Sequence, residues 1–116
     1  MKNKSGIKLV AIKDNKQIVN ILKKNKKVSL SFVTIWYYKS TNKSLINYAL
    51  LVNKSQFKLA VTRNKIKRQL RNILIASDIK GGLDILIKPN AIWLKKQYLE
   101  LSINIINTIT KFNNGK

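Results

Sequence analysis

Ala60-Val61-Thr62-Arg63-Asn64-Lys65-Ile66-Lys67-Arg68-Gln69-Leu70-Arg71-Asn72-Ile73-Leu74 is the stretch around which the rest of the chain is arranged. At a helical 100° per residue, Asn64, Lys67, Arg68 and Arg71 share one side with Arg63 at its edge, and Leu59, Ile66, Leu70, Ile73 and Leu74 gather opposite. One face calls for a core and the other for anions. The chain carries 24 basic residues, and only Arg63, Arg68 and Arg71 are arginine. A composition that otherwise favours lysine has kept guanidinium here, where a planar fork of donors can grip phosphate in two places and stack on bases. A merely solvated helix face would not need that chemistry.

The whole composition points the same way. Twenty-four basic against 4 acidic side chains give a formal net charge of +20 over 116 residues, which asks for a polyanionic partner, nucleic acid first. A hydrophobic content of 45% is enough for one compact domain with a real core. The chain has no cysteine and no histidine, so disulfides, thiolate metal sites and the commonest general base are excluded. No apolar run reaches the ~20 residues a membrane helix needs, and the patch Leu9-Val10-Ala11-Ile12 ends at Lys13 and Asp14 without a cleavage site. A cytoplasmic protein with no evident membrane or protein partner is expected.

Outward from the basic stretch, residues 1–12 read as a mobile basic arm, 13–112 as a single domain and 113–116 as a frayed end. Asp14 can cap a helix carrying Ile18, Val19, Ile21 and Leu22, with Asn25 ending it in the left-handed region. Residues 28–38 form a β-branched and aromatic run that places Phe32, Trp36 and Tyr38 on one face and Val33, Ile35 and Tyr37 on the other. A polar turn at 39–44 and a strand at 45–52 complete a hairpin with it. The basic helix fades near Ser77-Asp78, Gly81-Gly82 breaks the chain, and residues 83–87 make a short buried strand stopped at Lys88-Pro89-Asn90. Tyr98, Leu101, Ile105, Ile109 and Phe112 then form a helical stripe. The fold class is α+β, a single sheet of three to four strands in the order α-β-β-(β)-α-β-α, with helices mainly on one face.

The acidic residues are Asp14, Asp78, Asp84 and Glu100. Capping and turn roles account for them more simply than a protein-held pair of catalytic metals, which requires several converging carboxylates. Gly81-Gly82 lacks the flanking pattern of a phosphate loop. The stripe Phe32, Trp36, Tyr38 is either a platform for unpaired bases or plain core.

Arg63, Asn64, Lys67, Arg68 and Arg71 match every named position of Arg-Asn-x-x-Lys-Arg-x-x-Arg, and with Ala60-Val61 before them the chain resembles the protein subunit of bacterial ribonuclease P. The resemblance runs less sharply from about Lys13 to Phe112. It implies a left-handed strand-helix-strand crossover around the basic helix, and an RNA-binding surface of Arg63, Asn64, Lys67, Arg68 and Arg71 with Lys54 and Lys58 of the preceding loop. It also implies that the chain assists a catalytic RNA in removing the 5′ leader of precursor tRNA. The chemistry and the Mg2+ would then belong to the RNA, with no catalytic residue and no metal on the protein alone. The family's leader cleft maps here to Ile18, Leu22, Phe32 and Trp36. Ile18 and Leu22 stand where the family often has phenylalanines, so Trp36 is expected to be the principal leader-facing aromatic; a one-residue shift of register would put Ile35 in its place. A non-enzymatic RNA-binding protein, such as a small ribosomal protein, is the alternative. A chain bound to anionic membrane surfaces is less compatible with a helix whose other face is core-like.

Overall fold

A computed structural model of the chain describes residues 1–114, with the side chains of residues 113 and 114 left aside. The elements follow in the order β1 (Lys8–Ala11), α1 (Asn15–Lys24), β2 (Lys27–Ser29), β3 (Val33–Lys39), β4 (Leu45–Leu50), α2 (Ala60–Ala76), β5 (Leu83–Pro89), a short 3-10 helix (Ala91–Lys95) and α3 (Tyr98–Asn114). The α+β class holds, with one five-stranded sheet in the order β1-β4-β5-β3-β2 rather than three or four strands. The frayed end expected at 113–116 falls largely outside the described residues.

β5 organises the sheet because it is buried on both faces. Of its seven residues only Lys88 is exposed, the near-continuous apolar run of a strand covered on two sides. It pairs in parallel with β4 and antiparallel with β3. The expected hairpin of β3 with β4 is therefore absent: the chain leaves β3, crosses the end of β5, and returns on its far side. Gly81 and Gly82 permit that crossing. A Cβ on Gly81 would clash with the Lys43 carbonyl oxygen, and Gly82 holds φ at +91°, a region open to glycine. Ser40 donates its backbone N–H to the Gly82 carbonyl, and Gly82 donates its own to Leu45, both at 2.9 Å.

Two further differences arise from pairing that alternation alone cannot show. The run 28–38 is two strands: Leu30 donates its N–H to the Val33 carbonyl at 2.8 Å, folding β2 back on β3 with Lys27 opposite Trp36. The basic lead is also no loose arm, since β1 pairs in parallel with β4 and buries Leu9. Asn3, buried, donates its Nδ2 to the Ile79 carbonyl at 2.8 Å. Its Oδ1 accepts from the backbone N–H groups of Ser5 and Ile7 at 3.0 Å each. That side chain satisfies a turn the sequence offered no hydrophobic signal for.

The main core lies between one sheet face and α2 with α3. Ile66, Leu70, Ile73 and Leu74 of α2 and Leu101, Ile105 and Ile109 of α3 meet Ile35, Ile46, Ile85 and Ile87, each burial contributing ~1.5–3 kcal/mol. Leu59 and Tyr98, expected in these stripes, are exposed because they sit at the very starts of their helices. The opposite face carries only α1, which presses Ile21 onto Ala49 and Leu86. Its ends follow the sequence reading: the Asp14 carboxylate accepts from the Lys16 N–H at 2.9 Å, and Asn25 closes the helix at φ 53°. Gly81→Ala should lower stability by about 1–3 kcal/mol in urea unfolding, since backbone must move to admit the methyl. Leu99→Ala, at an exposed helix position, should stay within about 0.5 kcal/mol.

Candidate nucleic-acid interface

The basic face of α2 is built by helical spacing and differentiated by contact. Asn64, Arg68 and Arg71 are exposed, as are Lys54 and Lys58 in the loop before the helix, and Lys67 is half-buried. Arg63 differs: its Nη1 donates to the Phe57 carbonyl at 2.8 Å and to the Lys58 carbonyl at 2.9 Å. Leu59 occupies the N-cap and offers no side-chain cap, so Arg63 ties down the loop that enters the helix. Arg63 therefore shapes the surface that Lys54, Lys58, Asn64 and Arg68 present.

Lys67 and Arg71 turn toward the thinly covered sheet face. They border a groove of about 200 Å³ whose other wall is Ile18 of α1 and whose floor includes Leu50 and Leu51. A second groove, about 480 Å³, adjoins it at Leu50 and Leu51 and is lined by Leu22, Trp36, Asn53 and Lys88. Trp36 is half-buried and packs with Ile18 and Leu22 against the Ile21–Ala49–Leu86 cluster, leaving part of the ring open, with the Lys27 Nζ 5.8 Å from its centroid. Register decides this: Trp36 stands opposite Leu86, and Ile35 opposite Ile87 on the α2 side.

Phe32 is a correction to the expected cleft. It is buried at 4% exposure in the α2 and α3 core, its ring tilted 60° to Trp93 with centroids 6.0 Å apart. It precedes β3, in the bend that joins β2 to β3, so strand alternation does not govern it. Trp93 itself is anchored by its Nε1 donating to Gln69 Oε1 at 3.0 Å, which uses the polar edge of α2 to fix the core.

The carboxylates are dispersed. Asp14 caps α1, Glu100 pairs with Lys96 at 3.4 Å, and Asp78 is exposed. Among the described residues no three of His, Cys, Asp or Glu gather to hold a metal ion. Asp84, assigned a turn role next to Gly81-Gly82, lies instead within β5 on the α1 face, one alternation from Leu86, and is buried. Alternation along the predicted strand 83–87 puts Asp84 on the face of Leu86, the signal that could have shown its position.

Comparison with known proteins agrees with this geometry. The family model described as Ribonuclease P matches residues 8–113. The chain is 35% identical over 112 residues to the ribonuclease P protein component of Mycoplasma mycoides subsp. mycoides SC, covering 94% of this chain and 96% of that one. It is 31% identical over 86 residues to the corresponding protein of Ureaplasma urealyticum serovar 10, covering 72% of each. Among solved structures, the RNase P protein from Thermotoga maritima superposes with a TM-score of 0.77 at 18% identity, covering 87% of this chain and 96% of that chain. The RNase P protein of Staphylococcus aureus gives 0.72 at 24% identity, covering 89% and 94%; both show the shared fold. With its basic helix, its two-faced sheet and these relatives, the chain belongs to the ribonuclease P protein family.

Proposed function

We propose that this chain, as the protein component of ribonuclease P, binds the ribonuclease P RNA through the exposed side of α2 and guides the 5′ leader of precursor tRNA past Trp36. The observation that carries the reading is the pair of adjoining grooves between α1, the sheet and α2. Cations stand at one end, on Lys67 and Arg71, and an open indole with Lys88 at the other. Phosphate is drawn by the lysines and arginines and a base finds a ring to stack on, the combination single-stranded RNA requires. Ile18 and Leu22 supply an apolar wall where stacking is not possible. Ribonuclease P hydrolyses a phosphodiester, and we assign that chemistry to the RNA, with Mg2+ held chiefly by its phosphates. In support, the described side chains offer no convergent carboxylates. The protein then contributes charge neutralisation and positioning. No helix among the described residues is long and apolar enough to cross a membrane, and the cytoplasm is the compartment we propose.

These roles separate experimentally. Trp36→Leu should lower affinity for leader-bearing tRNA by about ten-fold or more, since stacking on an aromatic is worth ~1–3 kcal/mol, and should leave mature tRNA nearly unaffected. Equal losses for the two RNAs would return Trp36 to a packing role. Arg68→Ala should reduce the log–log salt slope of RNA binding by roughly 0.7–0.9 without loss of stability. Arg63→Ala should also cost about 1 kcal/mol of folding stability, because two loop carbonyls lose their donor. The protein freed of all RNA should cleave no precursor at any Mg2+ concentration, and cleavage that persists after RNA removal and vanishes in Asp78→Asn or Asp84→Asn would overturn the assignment.

A further inference from the structure

α1 divides its sheet face in two. Ile21 points at the sheet, Ile18 and Leu22 face the grooves just described, and Gln17, Asn20 and Lys24 face the other way. On that second side lies a separate cavity of about 380 Å³, bounded by those three residues, Ile21, Tyr38 and Asp84. Asp84 and Tyr38 are directly paired across β5 and β3, and Asn47 is paired with Asp84 from β4.

We propose that this cavity is a pocket for an extruded guanine base, read by the Asp84 carboxylate and stacked on Tyr38. A negative charge within an RNA-binding surface repels phosphate, so the group it admits must be a neutral donor edge. Asp84 is only 9% exposed, yet its hydrogen bonding is incomplete. Among the described residues Oδ1 accepts from Asn47 Nδ2 at 2.8 Å and Oδ2 from Gln17 Nε2 at 3.4 Å, while an ionised carboxylate offers about four acceptor positions. Guanine alone among the bases presents two adjacent N–H donors in one plane, N1–H and N2–H, matching the two oxygens of a carboxylate. Adenine and cytosine present a single exocyclic amine. Asn47 keeps the carboxylate oriented when Gln17 yields its long bond to the base.

The ring and the charge beside it complete the site. Tyr38 is 40% exposed, and the Lys24 Nζ lies 5.7 Å from its centroid. A base sliding onto the ring displaces that ammonium toward the flanking phosphate, where it is better neutralised. The apolar floor at Ile21 suits the edge of a purine away from its donors. The proposal rests on the chain binding RNA, and not on the leader running past Trp36, because the two cavities lie on opposite sides of α1.

The test uses full-length protein and short uridine oligonucleotides with one central guanosine or one central inosine, which lacks the N2 amine. Wild type should bind the guanosine oligonucleotide roughly ten-fold more tightly, the discrimination of a bidentate base contact. Asp84→Asn, whose amide replaces one acceptor by a donor, should bind the two alike, and Trp36→Leu should keep the wild-type ratio. Should Asp84→Asn fail to fold by circular dichroism, Tyr38→Leu at an exposed ring should shrink the same ratio. Equal binding of guanosine and inosine by the wild type, a preference that survives both pocket variants, or one abolished by Trp36→Leu, overturns the assignment. In the assembled ribonucleoprotein, thioguanosine placed in the leader or in the catalytic RNA should cross-link to the peptide containing Tyr38 from one of these sources. A cross-link names the source, and none from either RNA overturns the pocket.

Discussion

Everything in this molecule depends on β5 carrying buried apolar residues on both of its faces. Because Leu83, Ile85 and Ile87 must meet α2 and α3 while Leu86 must meet α1, the strand occupies the middle of the sheet and forces helices onto both faces. The cover is unequal. Two long helices seal one face, and a single helix of 10 residues lies across the other. The under-covered face keeps the grooves, which follow from a shortage of helix rather than from any special loop.

The same arrangement explains how a chain of net charge +20 stays folded. The inward sides of α2 and α3 carry aliphatics against the sheet, and the charges stand outside, where solvent and counterions screen them. α2 carries both the core stripe and the basic face proposed to meet RNA. Its apolar residues fix its rotation, and that rotation carries Lys67 and Arg71 toward the α1 groove while Asn64 and Arg68 point outward. Packing and recognition are set by one angular parameter, and neither can be altered alone.

Arginine is used for two purposes in this short segment. Arg63 commits both N–H groups of its Nη1 to backbone carbonyls of the preceding loop. Arg68 and Arg71 stay available for phosphate. Arg63, read at the edge of the basic face, thus helps build that face, on which Arg68 and Arg71 stand exposed.

Helix periodicity, capping and charge were local properties, and the sequence by itself determined them. The capped start at Asp14, the left-handed stop at Asn25, the apolar stripe Ile66, Leu70, Ile73, Leu74 and the basic face opposite it all stand as read. Each depends on residues within a turn or two of one another. That Trp36 lies on the α1 face and Ile35 on the α2 side was settled by the register of β3 on β5, which alternation within one strand left open. The insertion of β5 between β3 and β4, the docking of residues 8–11 as an edge strand, the burial of Phe32 and the enclosure of Asp84 were decided only by tertiary structure. In each of these the partner lies far away in sequence: β5 for β4, β4 for β1, Trp93 for Phe32, Asn47 for Asp84. Strand pairing is a competition among distant segments whose hydrophobic patterns are alike. The winner is set by which strand can be covered on both faces, a property of the whole packed sheet that no local window contains.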